Sequence, residues 1–255
     1  MGNQVVIDAL DANARGERFK LPVGTVVRGE DWRITHRHDL SNATLKDCAF
    51  IDVEFQAVTM RECDFGRSSF QRCNLNGSFD DSSFNRVKFE ACQLVGSFCD
   101  TDMCFTESYH CTYTRGLFDG SNFHNARIEH ADTETTRFAS FEGCNFVEAT
   151  ISFSNFQAGE FGMCDFTGAV IRNSDFRGAE LSRCEFDAFT MYSTNCDYAS
   201  FLGSRFLGAS LRGVNFTGAF LTKTYARNVD LIAAILDDCN LQHADWDNIN
   251  RGPNG

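Results

Sequence analysis

Residues 161 to 181 read FGMCDFTGAVIRNSDFRGAEL, and every fifth residue of this stretch (Phe161, Phe166, Ile171, Phe176 and Leu181) is large and apolar. Two positions before each of the last four stands a small residue: Cys164, Ala169, Ser174 and Ala179. Moving outward in both directions, the same pattern runs without a break from Phe141 to Trp246, and upstream it recurs from Leu40 to Leu75, from Phe79 to Leu94 and from Phe98 to Phe138. These blocks are joined by two slips of one residue and by a three-residue step between Phe138 and Phe141. In all there are 43 five-residue units, and in 39 of them the central position is Leu, Ile, Met, Phe, Tyr or Trp, with Ser108, Thr133, Cys196 and Ala226 as exceptions. The centres hold 21 of the 26 phenylalanines. The position two before is small in every unit but those beginning at His38 and Phe189.

A period of five matches neither the α-helix nor a plain strand, so each unit must be a short extended piece followed by a turn. In the extended piece, residues two apart share a face. The centre and the small residue before it therefore point inward, and the other three point out. Glycine often stands two after the centre, as at Gly168, Gly178, Gly203, Gly208, Gly213 and Gly218, where a corner gains from freedom in φ. The two prolines, Pro22 and Pro253, lie outside the repeat, which is expected if each backbone N–H is needed to bond a neighbouring coil.

The units Cys164-Asp165-Phe166-Thr167-Gly168 and Ser174-Asp175-Phe176-Arg177-Gly178 resemble those of the pentapeptide-repeat family. The resemblance implies an all-β fold, a right-handed quadrilateral parallel β-helix with four units per coil. Here 43 units give about eleven coils, a rod roughly 50 Å long at the ~4.8 Å strand spacing. The expected organisation is a non-repeat N-terminal cap over residues 1–37, the solenoid over 38–247, and a disordered tail over 248–255. In the cap, Val5 to Ala14 suit a short helix and Thr25 to Val27 a strand, placed to cover the first coil.

The cysteines follow the same register. Nine of the twelve occupy the small inward position, and Cys144, Cys164 and Cys184 are 20 residues apart, one expected coil each. This predicts a buried column of inert thiols, with Cys99 and Cys104 facing outward as the more reactive ones. The start of the chain has no apolar run of the length a signal peptide or membrane span requires, which makes the cytosol the default compartment. A targeting role for the 37-residue cap, as in secreted effectors with these repeats, is the alternative.

No catalytic constellation emerges. His36, His38, His110, His124, His130 and His243 are scattered without metal-ligand spacing, and no nucleophile elbow, phosphate-binding loop or dinucleotide fingerprint is present. A core filled by packing side chains leaves no pocket for chemistry, so no enzyme activity, cofactor or metal is expected.

The formal net charge of -12 disfavours direct binding to nucleic acid or anionic lipid and favours a basic protein partner. One coil apart, Glu160 should stack near Glu180 and Asp165 near Glu185, and with Asp175 these are the candidate partner-binding acids, in columns able to imitate a phosphate backbone. Near the end of the repeat, Tyr225, Ile232 and Ile235 fall at outward positions, and with Trp246 they suggest a homodimer interface. The resemblance extends to members that bind type II topoisomerases and confer fluoroquinolone resistance. It implies DNA gyrase or topoisomerase IV as a partner, with a structural or adaptor protein as the alternative.

Overall fold

The computed structural model describes residues 2–29, 39–113, 116–131 and 139–252. Short strands stack along the chain, each against the strand about 20 residues away. Val26–Arg28, Ala49–Ile51, Ser69–Gln71, Lys88–Glu90, Glu107–Tyr109, Arg127–Glu129, Thr150–Ser152, Val170–Arg172 and Thr190–Tyr192 form one parallel sheet in that order. Ile151 faces Ile171, which faces Met191. A 20-residue offset is four pentads, so each coil turns four corners and the chain is a parallel β-solenoid of about ten turns. We call the side carrying this sheet the first face. The second runs through Asn155, Asp175 and Asn195, the third through Ser140, Glu160 and Glu180, and the fourth through Asn145, Asp165 and Glu185.

Backbone hydrogen bonding within a pentad is fully assigned, as the unit centred on Phe166 shows. Asp165 N–H donates down to Cys144 O at 3.0 Å, while Phe166 N–H and Gly168 N–H donate up to Glu185 O and Asp187 O, each at 2.8 Å. Ala169 N–H closes the turn on Phe166 O at 3.0 Å. The remaining donor, Thr167 N–H, is taken by the Asp165 carboxylate at 2.9 Å. A buried N–H without a partner is costly, and this accounts for the frequent Asp or Asn just before the centre. Asn145, Asn155, Asp175, Asn195 and Asn215 make the same bond in their own units.

The residue two after the centre lies in the left-handed region, with φ between 49° and 64° even where it is not glycine. Bulky side chains such as Phe105, Phe153 and Met163 stand there, although the conformation is unfavourable to them. It is held by the cross-coil bonds on both sides. At the two one-residue slips the left-handed residue is dropped, and Gly77 and Gly96 stand in its place with ordinary φ. A Cβ on Gly96 would lie 2.1 Å from Gly77 O, and one on Gly77 would lie 2.5 Å from Val58 O.

The core consists of stacked phenylalanines. On the third face Phe79–Phe98, Phe98–Phe118, Phe118–Phe141 and Phe141–Phe161 lie nearly parallel at 4.9 to 5.1 Å. On the fourth, Phe123, Phe146, Phe166, Phe186 and Phe206 continue at 4.8 to 5.2 Å. Neighbouring columns meet at tilted angles near 6 Å, as for Phe161–Phe166. Both arrangements suit the aromatic quadrupole. Three of the irregular centres are explained by local contacts. Ser108 is small because the Tyr113 ring is large, and their hydroxyls bond at 2.6 Å. Ala226 faces Trp246 one coil on, whose indole N–H donates to Thr224 Oγ1 at 2.8 Å. Cys196 is fully buried with its thiol 3.7 Å from Met191 Sδ. Phe189, at a position otherwise small, is buried edge-on against Phe186 at 4.9 Å. Thr133 and Phe138 lie outside the described residues.

The ends differ from the sequence-based boundaries. The helix Gly2–Ala14 packs on the first coil through Val6, Ala9 and Leu10. Phe19, Leu21 and Val27 are already in the core, and Lys20 and Val27 pair with Thr44 and Phe50. The cap is therefore the helix alone, and the solenoid begins near residue 19. Residues 248 to 250, expected in a disordered tail, belong to the final strand Asp245–Asn250, where Ile249 pairs with Val229. No helix among the described residues is long and apolar enough to cross a membrane.

Gly96→Ala is expected to lower stability by about 1–3 kcal/mol, because backbone rather than a flexible side chain blocks the new methyl group. Gly213→Ala, with nothing within 4 Å of its Cβ, should change it far less. Thermal unfolding followed by circular dichroism compares the two.

Candidate protein-binding surface

The outward positions of the four faces carry different charge. From the coil of Met60 to that of Leu181, the third face presents Glu62, Asp80, Asp81, Asp100, Asp119, Glu142, Glu160 and Glu180 against only Arg61 and Arg183. That is eight acids and two bases, a net -6, or half of the whole chain's -12. Arg61 pairs with Asp81 at 3.2 Å and lies 3.9 Å from Asp80. Asp100, Glu142 and Glu160 are exposed and have no ion pair among the described residues.

Of the acids singled out in the sequence, Glu160 and Glu180 do stack one coil apart on this face, and Asp165 and Glu185 stack on the fourth. Asp175 lies on the second face, bonded by Arg177 at 2.7 Å, and forms no column with the other four. Arg205 sits directly above Glu185 and holds it at 3.0 Å and Asp187 at 2.6 Å. Asp165, Asp175 and Glu180 each also accept the N–H two residues on. Much of the acid before a centre therefore serves the turn, as asparagine does elsewhere. Sequence spacing missed Asp100, Asp119 and Glu142 because these acids are 19 and 23 residues apart. The first offset arises because Asp100 stands two after its centre, Phe98, and Asp119 one after its centre, Phe118, in a regular 20-residue coil. The second reflects the three extra residues of the coil between Phe118 and Phe141, whose rings stack directly. Comparing both outward positions of each pentad, and allowing for the longer coil, would have found them.

The C-terminal end is a second distinctive surface. Among the described residues, no coil covers the inward residues of the last one, such as Leu236, Leu241, Trp246 and Ile249. Leu241 is 38% exposed and the others are only partly covered. Tyr225 (40% exposed, with the Arg227 guanidinium 4.3 Å from its ring centre) and Ile235 (45%) point sideways from the fourth and second faces. Ile232 is half-buried beside Gly252. The four residues picked from the sequence thus surround the end rather than forming one patch.

The thiols form no such surface. All twelve cysteines are free. Cys144, Cys164 and Cys184 point inward and donate to Phe118 O, Phe141 O and Phe161 O, each at 2.9 Å. Serines make the equivalent bond in other coils, such as Ser204 to Leu181 O at 2.8 Å. Cys104, expected to be reactive, is buried at 9% exposure, and burial together with Asp102 pushes its thiol up to about 12. Burial also raises the Cys99 thiol. His110 and His130, scattered in sequence, stack at 4.7 Å because they are one coil apart. Among the described residues no group of three or more His, Cys, Asp or Glu could hold a metal ion.

Stacked pentads, left-handed corners and an aromatic core define a β-solenoid built from five-residue units. The pentapeptide-repeat family model matches eight copies, at residues 39–77, 151–187 and 191–225. The chain is a pentapeptide-repeat protein. It is similar in fold to HetL, a pentapeptide-repeat protein involved in heterocyst differentiation regulation from the cyanobacterium Nostoc sp. strain PCC 7120. Identity is 17%, coverage 94% of this chain and 95% of that one, and the TM-score 0.57. A match to a trypsin-treated variant of QnrB1, a plasmid-mediated fluoroquinolone resistance protein, covers 89% and 91% at 17% identity, with a TM-score of 0.32. No curated protein matches the chain.

Burial pushes the Cys48 thiol up to about 11 and Cys63 up to about 12, and Cys104 likewise. A raised folded-state value stabilises below the unfolded thiol's ordinary range near 8.5 and is lost as pH climbs toward the folded value. The melting temperature should therefore hold to about pH 8.5 and then fall steadily toward pH 11, losing up to ~1.4 kcal/mol per thiol per pH unit. A flat profile across that range would contradict the buried column.

Proposed function

We propose that the chain is a non-enzymatic binding protein whose third face docks on the basic, DNA-binding surface of a type II topoisomerase, DNA gyrase or topoisomerase IV. The acidic stripe of that face carries the reading. Six net charges over six coil steps, about 29 Å, give one charge per ~5 Å, against one per ~3.4 Å on a single DNA strand. Among the described residues no lysine or arginine stands at the outward positions of this face between the coils of Phe79 and Phe161, as a basic groove that accommodates duplex DNA requires. Twelve unpaired thiols fit action in a reducing cytoplasm.

The direct test is DNA supercoiling by gyrase, with and without a quinolone, as the protein is added. Inhibition or protection is expected, and the Asp100→Lys, Glu142→Lys, Glu160→Lys triple variant should lose it by about tenfold or more. Asp175→Asn keeps the turn acceptor on the second face and should behave as wild type. If a large molar excess has no effect on either enzyme, the partner is wrong. If the triple variant acts normally, the face is wrong.

The rod acts as a homodimer, joined end to end through the open C-terminal coil. Exposed inward residues such as Leu241 and the unpaired edge of Asp245–Asn250 favour this. Light scattering should give twice the 28.6 kDa chain mass, and Leu241→Asp should give a single chain. Equal masses for the two would remove the interface.

A further inference from the structure

The corner between the first and second faces carries His110, His130, Phe153, Asn173 and Ser193 at successive left-handed positions up the rod. The first three rings stack, His110 on His130 at 4.7 Å and His130 on Phe153 at 5.3 Å with 12° between planes. Above Phe153 the column drops to an amide and then a hydroxyl. The upper face of the Phe153 ring is thus the riser of a step, and the side chain is 50% exposed. Packing does not call for an aromatic residue there. The core position of the unit is filled by Ile151, and φ at Phe153 is 54°, a conformation that disfavours bulky residues.

The step opens on a groove of about 660 Å³ lined by Phe153, Asn155, Asn173, Asp175, Ser193 and Asn195, with His130 at its foot. Among the described residues no lysine or arginine lines it. The Asp175 carboxylate is already bonded by Arg177 at 2.7 Å and by the Gln157 amide at 2.9 Å. Asn195 Oδ1 accepts Asp197 N–H at 3.1 Å, which leaves its NH₂ to donate. A flat apolar platform is thereby set beside a row of amides, a hydroxyl and a neutralised carboxylate. The Arg177 guanidinium beside the groove is taken up by Asp175, and a phosphate-bearing ligand would meet the chain's net charge of -12.

We infer that this step is a saccharide-binding site for a neutral glycan. A pyranose ring lies with its C–H face on Phe153 and turns its hydroxyls toward Asn173, Asp175 and Asn195. The ligand is a chain of such rings, since the corner column continues along the rod past Ser193. The site lies on a different corner from the acidic third face, so its success or failure does not depend on the topoisomerase reading.

Affinity electrophoresis in native gels containing dextran, pullulan, galactomannan or mixed-linkage β-glucan tests it, with saturation-transfer NMR on maltoheptaose and on adenosine. Retardation by at least one polysaccharide is expected. Phe153→Ala should weaken it about tenfold, while Phe153→Tyr stays close to wild type. Because Phe153 is outside the core, both variants should keep the wild-type circular dichroism spectrum and melting temperature. Migration unaffected by all four polysaccharides, equal retardation of Phe153→Ala, or transfer to adenosine in place of the oligosaccharide would each overturn the assignment.

Discussion

Every coil must offer its backbone donors and acceptors to the coils above and below at a fixed offset, and the rest of the molecule is arranged around that constraint. Three of five N–H groups per pentad leave the unit vertically, one closes the turn, and the last needs a side chain. From this follow the Asp or Asn before each centre, the left-handed residue after it and the absence of proline from the repeat. The aromatic columns then fill the space that the four walls enclose, at the spacing that the hydrogen bonds impose. Packing stabilises the rod, but hydrogen-bond register decides its pitch.

The inward half of the design was legible from sequence because a period of five leaves its mark on residue size. The inert cysteine column followed from the same register. Exceptions such as Ser108 and Ala226 could be counted but not explained, since their partners, Tyr113 and Trp246, act through side-chain reach and across coils. The N-terminal boundary was missed for a related reason. Phe19, Leu21 and Val27 enter the core with offsets of 23 or 24 residues to the next coil, not 20, and so carry no pentad signature.

The outward half was less legible. Which outward residues meet depends on the sum of all slips and insertions between them, and a single added residue transfers a side chain to a new neighbour. Glu160 and Glu180 were found because no irregularity separates them. Asp100 and Asp119 stand at different places in their pentads, and Asp119 and Glu142 are separated by a longer coil. The stack of His110 and His130 needed only the coil length, yet in a linear reading the two residues look unrelated.

The interchangeable acceptor before each centre has a wider consequence. Asp and Asn are nearly the same shape and receive the turn N–H equally well, as Asp165 and Asn145 show on one face. Swapping one for the other alters the electrostatic potential of a wall by a full unit while leaving pitch, core and corner untouched. The surface field of such a rod can therefore drift, sharpen or invert one position at a time, and a lineage can change which molecules it attracts without passing through an unstable intermediate.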